Sequence, residues 1–155
     1  MTLDDRSTLL QRYATGADAV VDALAGATDA DLDRQPPSGW TARMVVHHLA
    51  DSEAMAYIRL RRLIAEDDPV IQGYDEPEWA RRLHYERPIE ASLAVLRAVR
   101  SASHELLGSL TDEDWTRSGT HSESGAYSVE RWLRIYAKHS HEHADQIRRA
   151  RRGED

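Results

Sequence analysis

The segment WLRIYAKHSHEHADQI, residues 132–147, carries the pattern that decides the fold. At about 100° per residue, its apolar side chains and two of its three histidines fall on one helical stripe. His139 and His143 then lie on one face, with Cβ atoms about 5–6 Å apart, whereas His141 points nearly opposite. An unsatisfied buried polar group costs about 1–3 kcal/mol, so two imidazoles on adjacent turns favour a metal site. The predicted stripe comprises Trp132, Ile135, Tyr136, His139, His143, Gln146, Ile147 and Ala150.

A second amphipathic helix offers a third metal ligand. It is predicted from Thr41 onward, directly after the helix-breaking run Pro36-Pro37-Ser38-Gly39. On its helical wheel His48 flanks the inward stripe, while His47 faces away with Ala54 and Ile58. This assignment depends on register, because an error of one residue would reverse it for His48. The inward stripe comprises Val45, Leu49, Ser52, Ala56 and Leu63.

His48, His139 and His143 are therefore the predicted ligands of one divalent metal ion. Three neutral imidazoles leave a coordination position for water or substrate, as in catalytic zinc sites. Zinc or nickel suits nitrogen ligands better than magnesium or calcium. An HxxxH pair taken alone is more often accidental, so packed histidines without metal stay an alternative. Ser140, His141 and Glu142 separate the pair, which differs from HExxH and disfavours a zincin protease.

Composition limits the class of protein. With 155 residues and 41% hydrophobic content, the chain is predicted to form a single domain over 1–155. A net charge of −7 disfavours nucleic-acid binding, and the arginines at 148, 149, 151 and 152 fit the C-terminal dipole of the last helix. The chain has no cysteine, so any thiol chemistry must use an external thiol. No membrane-length apolar run or leader is evident, and we expect a cytoplasmic protein without a membrane partner.

Helical periodicity organises the rest of the chain, and no strand-length alternation competes with it. Short helices are expected at Thr28–Leu32 and Thr111–Trp115, each after an N-cap threonine. The long connection Pro69–Arg87 carries Tyr74, Trp79 and Tyr85, which either line a pocket or pack an ordinary crossover. The predicted fold is an all-α four-helix bundle with a long crossover and short connecting helices, in which the second and fourth long helices are neighbours. The long helices are predicted at Asp4–Ala25, Thr41–Glu66, Ile89–Leu110 and Ser128–Arg151.

Several motifs between Gly39 and Ile147 resemble the DinB-like metal-binding bundles, most of all their YfiT branch. The likeness implies a four-helix bundle with one divalent metal held by the residues matching His48, His139 and His143. It also implies either metal-dependent hydrolysis or transfer of a low-molecular-weight thiol, such as bacillithiol or mycothiol, to an electrophile. The motifs are Gly39-Trp40-Thr41, Val45–Ser52, Tyr57-Ile58-Arg59, Pro69-Val70-Ile71, Tyr74-Asp75-Glu76, Trp79, Leu110-Thr111-Asp112 and the His139–His143 segment.

The leading functional hypothesis is a metal-dependent thiol S-transferase, in which the open metal position activates an external thiol for attack on a small electrophile. A metal-dependent hydrolase and a non-catalytic metal-stabilised stress or interaction bundle are the alternatives. No catalytic residue is assigned. Ser52 and Gln146 are candidates to support the ligands, and Glu142 to accept a proton; ordinary polar packing or solvation is the competing interpretation of each. A homodimer is left open as an assembly state.

Overall fold

The computed structural model describes residues 1–155 and has eight helices and three short strands. The helices are α1 (Leu3–Ala14), α2 (Gly16–Ala23), α3 (Asp29–Leu32), α4 (Ala42–Ala65), α5 (Glu76–Arg82), α6 (Glu90–Gly108), α7 (Asp112–Thr116) and α8 (Val129–Ala150). The strands are β1 (Val70–Ile71), β2 (Ser118–His121) and β3 (Gly125–Ser128).

Side-chain caps define where α4 and α8 begin, the two helices that carry the predicted metal ligands. The Thr41 hydroxyl accepts a hydrogen bond from the Met44 amide at 3.2 Å, and the Ser128 hydroxyl accepts one from the Arg131 amide at 3.1 Å. Each cap satisfies an amide that the helix itself leaves unpaired. The two short predicted helices are confirmed as α3 and α7, and both start with a capping box.

The long helices form the predicted four-helix bundle. Helix α8 packs against α1, α2 and α4, and α4 also packs against α6. The second and fourth long helices of the prediction, α4 and α8, are therefore neighbours. Two apolar clusters, one centred on Trp132 and the other on Leu49, fill the core.

The first predicted helix is interrupted, which corrects its expected single span Asp4–Ala25. The break lies at Thr15, between α1 and α2. A Cβ atom on Gly16 would lie 2.4 Å from Nη2 of Arg100, so glycine makes room for the guanidinium that crosses the core here. Arg100 donates to the Tyr13 carbonyl and pairs with buried Glu53. Gly16 therefore leaves the space that the Arg100 guanidinium occupies, and the Tyr13 carbonyl beside the break accepts its hydrogen bond.

A small sheet was not predicted from the sequence. Strand β1 pairs in parallel with β2, with Val70 opposite Thr120, and β2 pairs antiparallel with β3, with Ser118 opposite Ser128. Strands of two and four residues are too short to show an alternating pattern. The sheet leads into α8 and brings β2 beside α4.

The remaining surface features are simple. No helix combines the length and apolarity needed to cross a membrane.

At the end of α8, Arg151 donates to the Ala23 carbonyl at 2.6 Å, and Arg148 pairs with Asp145 at 2.7 Å. Arg152 also pairs with Glu154, at 2.7 Å, so three of the four C-terminal arginines are engaged within the chain.

Candidate metal centre

Three histidines converge where α4 and α8 face each other. One ligand nitrogen from each of His48, His139 and His143 lies within 4.8 Å of the other two. Nε2 of His139 and Nε2 of His143 are 3.1 Å apart, and the His48 ring centroid is 4.9 Å from that of His143. The structure therefore brings together the three histidines that the helical register selected.

Burial keeps these imidazoles neutral. It lowers the pKa of His48 to about 4, with a smaller effect from neighbouring His143. It lowers the pKa of His139 to about 2, helped by the two other histidines, and it also lowers the pKa of His143. Neutral imidazole is the form that binds a metal, so no proton has to be displaced near pH 7.

Gln146 sets the orientation of His143. Its side-chain oxygen lies 2.6 Å from Nδ1 of His143 and accepts a hydrogen bond from that atom. Nε2 of His143 is then left with its lone pair directed at the cluster. The structure thus gives Gln146 the ligand-supporting contact considered from the sequence. Nδ1 of His139, in contrast, is buried without a partner.

The donor set fits a borderline divalent ion. Two ligands of a tetrahedral zinc site, with metal–nitrogen bonds of about 2.05 Å, are about 3.3 Å apart. The 3.1 Å between the two Nε2 atoms is close to this separation. Three converging nitrogens with no carboxylate among them suit zinc or nickel better than magnesium or calcium.

The two neighbouring histidines lie elsewhere, but only one of them is near solvent. His141 is half-buried, and its Nε2 lies 2.9 Å from the carbonyl of Arg12 near the end of α1. His47 is fully buried, which corrects the expectation that it faces outward. Its ring nitrogens lie 2.7 Å from the Ser92 hydroxyl and 2.9 Å from the Arg87 carbonyl. His47 therefore joins α4 to the start of α6 and does not enter the cluster.

Two cavities adjoin the histidines. The first, of about 270 Å³, is called the His143-side cavity, and Trp40, His48 and Gln146 contribute to its wall. The second, of about 200 Å³, is called the His139-side cavity. Exposed Glu76 lines both. A larger cavity of about 570 Å³ around Arg43 and Tyr85 contains none of the three histidines, so its size does not make it the candidate site. The His139-side cavity is lined by Ser52, Arg59, Tyr74, Glu76, His121, Ser124, Tyr127, Ile135, Tyr136 and His139.

One aromatic residue of the long crossover lines a cavity beside the histidines, which is one of the two interpretations of these residues given from the sequence. Tyr74 lines the His139-side cavity and stacks on Trp79, with ring centroids 4.3 Å apart. Tyr85 lines the larger cavity and donates to Asp51 at 2.6 Å. Ser52 lines the cavity beside His139, and Glu142 pairs with Lys138 at 3.7 Å on the surface.

The sequence reasoning did not identify Arg59, Glu76 or His121 as site residues. They come from α4, α5 and β2, and only the fold brings them to one cavity. One available signal was the helical spacing from Ser52 to Arg59, which puts both on one face of α4.

Comparison with known proteins agrees with this architecture. The family model of the DinB superfamily matches residues 12–147. The chain belongs to the DinB superfamily. In structure it is similar to YfiT from Bacillus subtilis, described as "a probable metal-dependent hydrolase with an unusual four-helix bundle topology". The two share 31% sequence identity with a TM-score of 0.91, over 98% of this chain and 89% of YfiT.

Curated relatives carry similar names. A protein of Oceanobacillus iheyensis named "Putative metal-dependent hydrolase" is 46% identical over 109 residues, or 70% of this chain. A protein of Halalkalibacterium halodurans with the same descriptive name is 32% identical over 113 residues, or 73% of this chain. The matched region spans 63% and 66% of the length of these two relatives.

Proposed function

We propose that this chain is a metal-dependent enzyme in which His48, His139 and His143 hold one zinc or nickel ion. The observation that supports the proposal most strongly is the convergence of three neutral imidazoles within 4.8 Å beside two cavities. When bound, such an ion lowers the pKa of a coordinated water or thiol and so supplies a nucleophile at neutral pH.

The protein residues around the ion have separate tasks. Gln146 orients His143 through the 2.6 Å contact at Nδ1. Trp40 packs edge-on against His48, with ring centroids 5.8 Å apart, and covers one side of the cluster. Glu76 lines both cavities and is the carboxylate positioned to accept a proton from the attacking nucleophile. Glu142, paired with Lys138, has no such position.

Water is the first candidate nucleophile. The names of YfiT and the curated relatives as metal-dependent hydrolases support hydrolysis. The substrate is then a small electrophile whose reacting carbon enters one of the two cavities.

An external thiol is the second candidate. The absence of cysteine favours it over a protein thiol, because sulfur chemistry at this site would need a sulfur from outside the chain. Displacement of a leaving group from a saturated carbon would give a thioether, and displacement from an acyl carbon would give a thioester. The leaving group would depart with its bonding electron pair, and the thiol proton would pass to a base such as Glu76.

One assay separates the alternatives. Metal-loaded protein is mixed with a small electrophile and with bacillithiol, mycothiol, coenzyme A or glutathione in turn, and both conjugate and hydrolysis product are measured. His139→Ala should abolish whichever product forms, and His104→Ala on the exposed side of α6 is the control. Hydrolysis without conjugate selects water, and conjugate formation selects the thiol. A wild-type product that survives loss of His139 contradicts the proposed site.

A further inference from the structure

The His139-side cavity contains a buried cation that has no carboxylate partner. Arg59 is 9% exposed and forms no ion pair, whereas buried Arg43 and Arg100 pair with Asp33 and Glu53. Burying a charge without a counter-ion is costly, and no carboxylate of the chain pairs with Arg59 to offset that cost. An anion supplied from outside the chain would be the missing counter-ion.

Hydrogen-bond donors are also in excess around this cation. Arg59 donates to the Tyr136 hydroxyl at 3.1 Å and to the Gln72 carbonyl at 2.7 Å, but its Nε is buried without an acceptor. A guanidinium has more N–H groups than these bonds use. The Tyr74 hydroxyl is buried and donates to no acceptor.

A phenol keeps its proton near pH 7 and can therefore donate, since the ordinary pKa of tyrosine is about 10. Burial raises the pKa of Tyr74 further, to about 12. Tyr136 already accepts from Arg59, which leaves its own O–H free to donate. An oxygen-rich anion would satisfy these donors together.

We propose that the His139-side cavity holds the carboxylate of a small substrate, with Arg59 as its cationic partner and Tyr74 and Tyr136 as hydroxyl donors. The inference names a substrate class for the nucleophile-activating site and therefore rests on the proposed function. Because His139 lines the same cavity, the rest of the substrate would lie beside the metal ligands.

Size and charge select a carboxylate monoanion. The cavity of about 200 Å³ admits a small acid and excludes a bulky ligand. Burial lowers the pKa of His121, so this histidine adds no second positive charge. Glu76 on the same wall disfavours a dianion such as a phosphate monoester.

Isothermal titration with benzoate and its neutral analogue benzamide tests the inference on the zinc-loaded full chain. We expect benzoate to bind at least about tenfold more tightly than benzamide, because hydrogen bonds to a charged group are the stronger ones. Arg59→Met should remove this preference and Arg59→Lys should retain part of it. Glu76→Gln should strengthen benzoate binding. Arg97→Met, the same change on the exposed side of α6, should leave the preference intact.

Each alternative result counts against the inference. Equal affinity for benzoate and benzamide in the wild-type chain overturns it. A benzoate preference that persists in Arg59→Met also overturns it, since the anion is then held by the metal ion. If Arg59→Met does not fold, as judged by circular dichroism, Tyr74→Phe replaces it and must weaken benzoate binding by about threefold or more.

The same titration on metal-stripped protein keeps this inference distinguishable from the proposed function. An Arg59-dependent benzoate preference without metal supports the carboxylate site independently of any chemistry. If that preference is found and the metal-loaded chain neither hydrolyses nor conjugates any electrophile, the proposed function fails and the carboxylate site stands. If the metal-loaded chain turns over an electrophile but binds benzoate and benzamide equally, the proposed function stands and the carboxylate site fails.

Discussion

Acid should destabilise the metal-free protein through its buried histidines. His48 and His139 have folded-state pKa values of about 4 and about 2, because both are buried. Their ordinary pKa is about 6.5, which is the value expected in the unfolded chain. Between these limits the unfolded chain binds more protons than the folded one, so the free energy of unfolding decreases as the pH decreases.

The magnitude follows from the difference in proton binding. At pH 5, a histidine with an unfolded pKa of about 6.5 and a folded pKa well below 5 costs about 2 kcal/mol of stability. This figure depends little on how far below pH 5 the folded pKa lies. The two histidines together should therefore remove about 4 kcal/mol between pH 7.5 and pH 5.

Urea unfolding at pH 7.5 and pH 5 measures this loss. The double variant His48→Gln/His139→Gln cannot take up these protons, so its loss over the same interval should be smaller than that of the wild type by about 4 kcal/mol. His104→Gln, on the exposed side of α6, provides the matched control. Equal losses in the wild type and the double variant would refute the argument that these histidines are buried in the neutral form.

Three further predictions concern the bundle itself. Glu53→Ala leaves Arg100 and the Tyr13 hydroxyl without their buried acceptor, so thermal unfolding should show a loss of about 3–5 kcal/mol, with part recovered in Glu53→Met/Arg100→Met. Thr41→Ala removes the N-cap of α4 and should cost about 1 kcal/mol in urea unfolding, whereas Thr41→Ser should cost much less. Chelation should lower the melting temperature by about 5–11 °C for an ion previously present at about 100 times its Kd. The helical circular-dichroism signal should persist after chelation, and its collapse would show that the bundle needs the metal to fold.

Local patterns predicted the parts of this fold that local forces determine. Thr28 and Thr111 each precede an acidic residue at the third helical position, and both start short helices with capping boxes. The four-residue spacing of His139 and His143 fixed their common face, and the core-facing stripe of α4 selected His48.

Features that depend on distant partners were missed. The helical wheel of α4 placed His47 on the outward face. In the structure its ring nitrogens contact the Ser92 hydroxyl and the Arg87 carbonyl, which lie about 40 residues further along the chain. Gly16 gave no sign of a break because Arg100, which needs the space, is far away in sequence. Arg59 likewise could not be assigned from the sequence, because it shares a cavity with residues of the crossover and of the small sheet only in the folded chain.

Metal content per chain tests the central claim most directly. Purified protein equilibrated with zinc and freed of excess ion should hold one zinc per chain by elemental analysis, and His48→Ala, His139→Ala or His143→Ala should each lower the occupancy strongly. His141→Ala should keep the full occupancy, and His47→Gln should keep it even if the bundle loses stability. A wild-type chain without zinc, or equal losses at all five histidines, would contradict the proposed metal centre.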